Sequence, residues 1–328
     1  MLYSQLISIE HLLQAWEEFK VGKRNRKDVQ FFERNLENNL FFLNQALIKK
    51  TYHHFSYTAF NIYDPKFRHI HKALVRDRIV HHAVVSLIEP IFDKIFIYDS
   101  YSCRKNKGTH KAVDRLEKFT RIVSKNYTRG CWALKLDIKK FFPSVDHEIL
   151  VRLLNKKVTD PDILWLLMNV IESFQSDQGK DKGIPLGNLT SQVFANIYMN
   201  ELDQFIKHKL KVKYYLRYAD DFVIISSKRV DLDQYLEPII SFLNDRLKLC
   251  LHPKKIILRK LSWGIDFLGY IVLPHYILPR TKTKRRMFKK LEQKRELQNF
   301  NQSLQAYLGY LKHANSFKIK MELFNFLK

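Results

Sequence analysis

The chain has 328 residues, 46% of them hydrophobic, and carries 57 Lys plus Arg against 33 Asp plus Glu, a formal net charge of +24. It is long enough to bury a sizeable core, which sets disorder aside, and no apolar run approaches the roughly 18 to 20 residues of a membrane-spanning helix. The positive charge is spread along the whole chain, a field that suits a polyanionic partner, nucleic acid first among them.

Residues 1–60 are predicted to be helical, interrupted by the basic loop Gly22-Lys23-Arg24-Asn25-Arg26-Lys27. Leu2, Leu6, Ile9, Leu12, Leu13 and Trp16 recur at amphipathic helical spacing, not as a secretory apolar block. Cys103, Cys131 and Cys250 are odd in number and widely spaced, which suggests neither a disulfide framework nor a zinc site and fits a reducing cytoplasm. His69 and His71 would share one face of a strand, but no partner cluster accompanies them, so they read as surface or nucleic-acid-facing side chains. A stretch from Phe67 to Arg78 leads into an apolar helix expected over residues 79–92.

Further along, Trp132-Ala133-Leu134-Lys135-Leu136-Asp137-Ile138 reads as a half-buried strand. Leu134, Leu136 and Ile138 fall on one face, with Ala133, Lys135 and Asp137 on the other. Glycine is scarce, yet Gly179, Gly183 and Gly187 cluster in a loop before a helix predicted over 194–210. From Tyr214 to Ser226, two β-prone apolar runs flank Asp220-Asp221, the pattern of a hairpin with the acidic pair at its turn. Beyond residue 279 the composition becomes strongly basic, PRTKTKRRMFKKLEQKRELQNF, and marks a subdomain boundary. Such a run reads equally as a solvated helix face and as a nucleic-acid contact. Helices mixed with scattered strands, without regular βαβ alternation, indicate the α+β class.

Two adjacent carboxylates between apolar strands repel one another, a cost that divalent cations remove. Asp137, ending a similar strand, can complete such a site. Two Mg²⁺ ions roughly 3.5 to 4 Å apart would then activate a 3′-hydroxyl and stabilise a leaving pyrophosphate.

Tyr218-Ala219-Asp220-Asp221 resembles the Tyr-x-Asp-Asp box of reverse transcriptases, and Asp137-Ile138-Lys139-Lys140-Phe141-Phe142 resembles their first-aspartate motif. Arg76-Asp77-Arg78, Ser100-Tyr101-Ser102-Cys103-Arg104, the glycine loop, Leu251-His252-Pro253-Lys254-Lys255 and Phe267-Leu268-Gly269-Tyr270 follow in the family's order. The resemblance implies a right-hand polymerase with fingers, an antiparallel palm sheet backed by helices, and a small helical thumb. Residues 1–65 would form an N-terminal helical extension, 66–272 the fingers and palm, and 273–328 the basic thumb. Asp137, Asp220 and Asp221 would be catalytic, and with Ile138 would hold two Mg²⁺ ions, Mn²⁺ substituting for them.

Carried over residue by residue, the nucleotide site would comprise Arg68, Arg78, Phe142, Leu186, Gly187 and Lys255. Phe142, five residues after Asp137, would lie beneath the sugar and exclude a 2′-hydroxyl, and Arg68 or Arg78 would take the triphosphate. Template and primer would meet Arg104, Gln192, Lys282, Lys284, Arg285, Arg286, Lys289 and Lys290. In the loop, Leu186 stands where many reverse transcriptases have Gln, and Gln192 where many have Pro. That form resembles the enzymes of diversity-generating retroelements. It implies error-prone copying of a template-repeat RNA into cDNA, beside a small basic oligomeric accessory protein. A retron or group II intron-like enzyme is the alternative. A non-catalytic RNA scaffold is the further one, since the charge and aromatics would serve it equally.

Overall fold

The computed structural model describes residues 2–64 and 66–327. Its helices and strands run, in chain order, α1 (Leu2–Ile7), α2 (Ile9–Lys20), α3 (Lys27–Glu33), α4 (Leu36–Ile48), β1 (Thr58–Ile62), β2 (Arg68–Lys72), α5 (Val75–Asp93), α6 (Thr109–Val123) and β3 (Trp132–Asp137). They continue through α7 (Phe141–Ser144), α8 (His147–Asn155), α9 (Pro161–Glu172), α10 (Leu189–Gln204), β4 (Tyr215–Tyr218), β5 (Asp221–Ser226) and α11 (Arg229–Leu247). The remainder comprises β6 (Ile257–Lys260), β7 (Ile265–Phe267), β8 (Tyr270–Leu273), β9 (Tyr276–Pro279), α12 (Thr281–Gln293), α13 (Phe300–Lys312) and α14 (Phe317–Leu327). The class is α+β, as expected. Among the described residues no helix is long and apolar enough to cross a membrane.

The chain divides into two units. The first comprises residues 1–98, 138–205 and 240–250. In it, α2 packs on α5, whose buried face carries Ile79, Val80, Ala83 and Val84, while Trp16 and Phe19 of α2 are fully or almost fully buried. Residues 49–60, predicted helical, are not: Thr58–Ile62 pairs antiparallel with Arg68–Lys72, and residues 51–57 before it form neither helix nor strand. Helix α5 also begins four residues earlier than its apolar pattern. The polar Arg76-Asp77 pair is absorbed into the first turn, because Asp77 accepts from Tyr52 Oη and Phe55 N, and Arg76 stacks over Tyr52 and Phe55.

The second unit comprises residues 99–137, 206–239 and 251–328. A four-stranded antiparallel sheet, in the order β4-β5-β3-β6, is its centre. Ala112, Val113, Leu116 and Phe119 of α6 bury against Ala133, Leu216, Val223 and Ile225 of that sheet. A second sheet, β7-β8-β9, adds Phe267, Tyr270 and Val272 to the same core. Helices α12, α13 and α14 enclose a separate small core of Met287, Leu291, Leu311 and Leu323.

Candidate active site

The acidic corner follows from strand register. β3 and β5 pair so that Asp137 stands directly opposite Asp221, and β4 pairs with β5 so that Tyr218 opposes Asp221. Directly opposed residues have Cβ atoms about 4.5–5.5 Å apart, so the two carboxylates cannot avoid each other. Ala219 and Asp220 form the two-residue turn, and Asp221 is the first residue of β5. Ala219 has a φ of +54°, a conformation that two-residue hairpin turns normally give to glycine or asparagine.

A fully buried arginine supports that turn. Arg217 donates from Nη1 to the carbonyl of Ala219 at 2.9 Å and from Nη2 to Ser100 Oγ at 3.1 Å. Its backbone is bracketed by Asp99 and Tyr101: Arg217 N donates to Asp99 O, and Tyr101 N to Arg217 O, both at 2.9 Å. Asp99 in turn is held by Arg115, at 2.8 Å. The Ser100–Arg104 segment thus runs beside β4, with Arg104 Nη1 donating to Ser100 O. The sequence motifs assign Arg217 no site role, and its one signal there is a charge inside an otherwise apolar strand.

Two lysines meet the carboxylates. Lys255 Nζ lies 2.7 Å from Asp137 Oδ1, because the turn Pro253–Lys255 is hooked to the same strand end by His252 N donating to Asp137 O at 2.8 Å. Lys135 Nζ lies 3.2 Å from Asp221 Oδ2. Burial, with Asp137 and Asp220 adding to it and Lys135 opposing, pushes the Asp221 carboxyl up to about 6. The other oxygen, Asp221 Oδ1, is buried without a hydrogen-bond partner. An unpartnered buried carboxylate oxygen beside two further carboxylates is the donor chemistry a hard divalent cation takes up. Among the described residues no three such groups are already drawn into a cage, the lysines holding Asp137 and Asp221 in its stead.

Tyr218 extends the corner. Its hydroxyl accepts from Thr109 at 3.2 Å. Thr109 lines an open hollow of about 470 Å³ with His110, Leu268, Tyr270, Tyr310 and His313. Tyr310 Oη donates to Gly269 O at 2.5 Å and Tyr270 Oη to Tyr310 O at 2.9 Å, so helix α13 is fastened to the β7–β8 turn.

The nucleotide-binding candidates Arg68, Arg78, Phe142, Leu186 and Gly187 lie in the first unit. The glycine loop is clamped to β2: His71 N donates to Leu186 O at 3.1 Å and Asn188 Nδ2 to His71 O at 2.7 Å. Gly187, at φ +110°, comes so close to Ile70 that a Cβ would sit 2.8 Å from its Cγ2. Ile184 N donates to Phe142 O at 2.9 Å, which joins the loop to α7. Phe141 is buried against Tyr198, whereas Phe142, next to it on the short helix α7 and in edge contact with its ring, is only partly buried. Arg68 is exposed at the start of β2. Arg78 is committed elsewhere: its guanidinium is 2.5 Å from Asp28 Oδ2 and stacks over Phe19. Burial would raise the Asp28 carboxyl, but hydrogen bonds from Lys72 and Arg78 outweigh it and hold the group below its usual range.

The remaining expected residues are dispersed. Ile138 is buried beyond β3, and Gln192 lies partly buried on α10. On α12, Lys282, Arg285 and Lys289 are exposed, Arg286 and Lys290 are partly buried, and Lys284 is paired with Glu322 of α14 at 2.7 Å.

Residues 49–272 match the family of the reverse transcriptase (RNA-dependent DNA polymerase). The chain belongs to that family. The chain is 26% identical over 241 residues to Protein YkfC of Escherichia coli, covering 62% of this chain and 63% of the other. It is 23% identical over 260 residues to the group II intron-encoded protein LtrA of Lactococcus lactis, covering 59% and 42%. It is 21% identical over 302 residues to the mitochondrial nuclear intron maturase 1 of Arabidopsis thaliana, covering 63% and 41%. The chain therefore spans less than two thirds of these relatives. Among solved structures it is similar to telomerase from Candida tropicalis in complex with the TWJ fragment of telomeric RNA. That match has a TM-score of 0.52 at 14% identity and covers 84% of this chain and 57% of the other, a likeness of fold.

Proposed function

We propose that this chain is an RNA-directed DNA polymerase that copies RNA into cDNA from dNTPs, with Asp137, Asp220 and Asp221 as its catalytic carboxylates. The observation that carries the reading is the register pairing Asp137 with Asp221 beside the Asp220 turn, in a member of the reverse transcriptase family. Asp137, Asp220, Asp221 and the backbone of Ile138 would hold two Mg²⁺ ions, or Mn²⁺ in their place. When bound, these supply charge for the attacking 3′-hydroxyl and the leaving pyrophosphate.

The chain's own groups do the positioning. Arg217 fixes the acidic turn, and Lys255 orients Asp137. Arg68 takes the triphosphate, a role for which its exposure suits it and the commitment of Arg78 to Asp28 does not suit Arg78. Phe142 and the Leu186-Gly187 loop confine the sugar and base. Primer and template follow Arg104, Gln192, the hollow beside Tyr270 and the basic face of α12. In this assignment residues 1–65 are the N-terminal extension, 66–272 fingers and palm, and 273–328 the thumb.

We further infer that the enzyme serves a diversity-generating retroelement, working in the cytoplasm beside a basic accessory protein. Leu186 in the glycine loop and Gln192 in the first turn of α10 after it support this. A group II intron-like enzyme is the second reading, favoured by the intron-encoded relatives. Primer extension on one adenine-containing RNA template, followed by sequencing of the cDNA, separates them. Errors concentrated opposite template adenines are expected; a uniform low error rate would favour the intron-like reading, and no incorporation at all would leave only an RNA scaffold.

A further inference from the structure

Lys135 precedes Asp137 by two residues on β3 and so shares its face of the strand. Its ammonium group lies 3.2 Å from Asp221 Oδ2, donates to the backbone carbonyl of Asp266 at 3.0 Å and sits 5.8 Å from the centre of the Phe267 ring. The side chain is only 17% exposed. Lys255, on Asp137, is 40% exposed and can swing into solvent. Lys135 has no such freedom: β3, β5 and the β7 strand surround it, and Asp266 is itself tied to Arg280 at 2.8 Å. A confined positive charge therefore sits permanently at the acidic corner, on the carboxylate whose other oxygen has no partner.

We propose that Lys135 is a positioning residue for the metal site, a built-in counter-cation. It keeps Asp221 in place and offsets the repulsion among Asp137, Asp220 and Asp221 while no divalent ion is bound. Because it stays nearby when an ion arrives, it also lowers the site's affinity, so that cations load and leave readily between additions. The inference rests on the proposed two-cation chemistry of this corner. It differs from a plain packing role, in which Lys135 would act only as a strut from β3 to the Asp266 carbonyl.

The test is a Mn²⁺ titration of the full chain, followed by the paramagnetic resonance of free Mn²⁺, on the wild type, Asp221→Asn, Lys135→Met, Lys135→Gln and Lys135→Arg. Removing one positive charge a few ångströms from a doubly charged ion should tighten Mn²⁺ binding about three- to tenfold in Lys135→Met and Lys135→Gln, while Lys135→Arg keeps near wild-type affinity. Thermal unfolding supplies the second readout: the two neutral variants melt ~2–4 °C lower without metal, and saturating Mn²⁺ raises their midpoints by more than it raises that of the wild type. Equal Mn²⁺ affinity in the wild type and both neutral variants, with Asp221→Asn having lost the site, overturns the role of Lys135 alone. A midpoint lowered equally with and without Mn²⁺ does the same and leaves a strut. If Asp221→Asn binds Mn²⁺ as the wild type does, the two-cation reading falls, and this inference with it.

Discussion

The acidic corner of the central sheet and the basic face of the C-terminal helices solve different problems. At the corner, the reacting groups are fixed by something specific: Asp137 and Asp221 by strand register, the Ala219-Asp220 turn by a buried arginine, and Lys135 by Asp221 and the Asp266 carbonyl. On α12 the positive charges from Lys282 to Lys290 stand over a small core of Met287, Leu291, Leu311 and Leu323, and Lys282, Arg285 and Lys289 are exposed. Chemistry at a reacting atom tolerates little displacement, so it is built on paired strands. Attraction to a phosphate backbone acts through summed charge, so a spread array of Lys and Arg suffices.

That contrast can be broken by substitution. The largest effect is expected for Arg217→Met, which removes charge-assisted bonds to the Ala219 carbonyl and Ser100 and leaves the turn unsupported. A loss of about 2–4 kcal/mol in unfolding free energy is expected. Incorporation should fall on the order of a hundredfold at temperatures where the variant is still folded, the scale of losing one preorganised group. Chemical denaturation and primer extension check the two parts separately.

Reversing Lys282, Arg285 and Lys289 together to Glu should weaken template-primer binding about tenfold or more at moderate salt and flatten its salt dependence by about two to three ion equivalents. The rate of a single bound turnover should change little. An unaltered salt slope would mean that this face is merely solvated.

Smaller effects are expected in the nucleotide half. Phe142→Ala should cut the preference for dNTPs over rNTPs about tenfold by opening space beneath the sugar, measured as the ratio of kcat/KM for the two. Leu186→Gln should lower misincorporation opposite template adenine about twofold to tenfold, since a hydrogen bond of about 0.5–1.5 kcal/mol would be restored mainly to matched nucleotides. Sequenced cDNA from both enzymes decides it, and an identical error spectrum removes Leu186 from any account of mutagenesis.

Much of this was legible in the chain. The β3 alternation puts Lys135 and Asp137 on one face, as a half-buried strand requires, and the acidic hairpin appears where the continuous apolar runs of more deeply buried strands flank Asp220-Asp221. The helix after the glycine loop begins at Leu189, five residues before its apolar stripe suggests, since Asn188 ends the loop by bonding back to β2. Arg217 stands out as a charge inside an apolar strand, but its role was not legible, because nothing local names the Ala219 carbonyl and Ser100 hydroxyl that it bonds. Arg78 illustrates the converse: its motif suggests phosphate, while Asp28, fifty residues earlier, takes its guanidinium. Long-range ion pairs of this kind leave no local pattern.

The central claim is that catalysis and RNA affinity reside in separate features, and Asp220→Asn addresses it most directly. Measured on one preparation with one labelled template-primer, the variant should bind RNA with an affinity and salt slope within twofold of the wild type. Its Mg²⁺-dependent dNTP incorporation should fall on the order of a thousandfold or more. Extension near the wild-type rate would contradict the proposed catalytic centre, and loss of RNA binding in step with activity would contradict the separation.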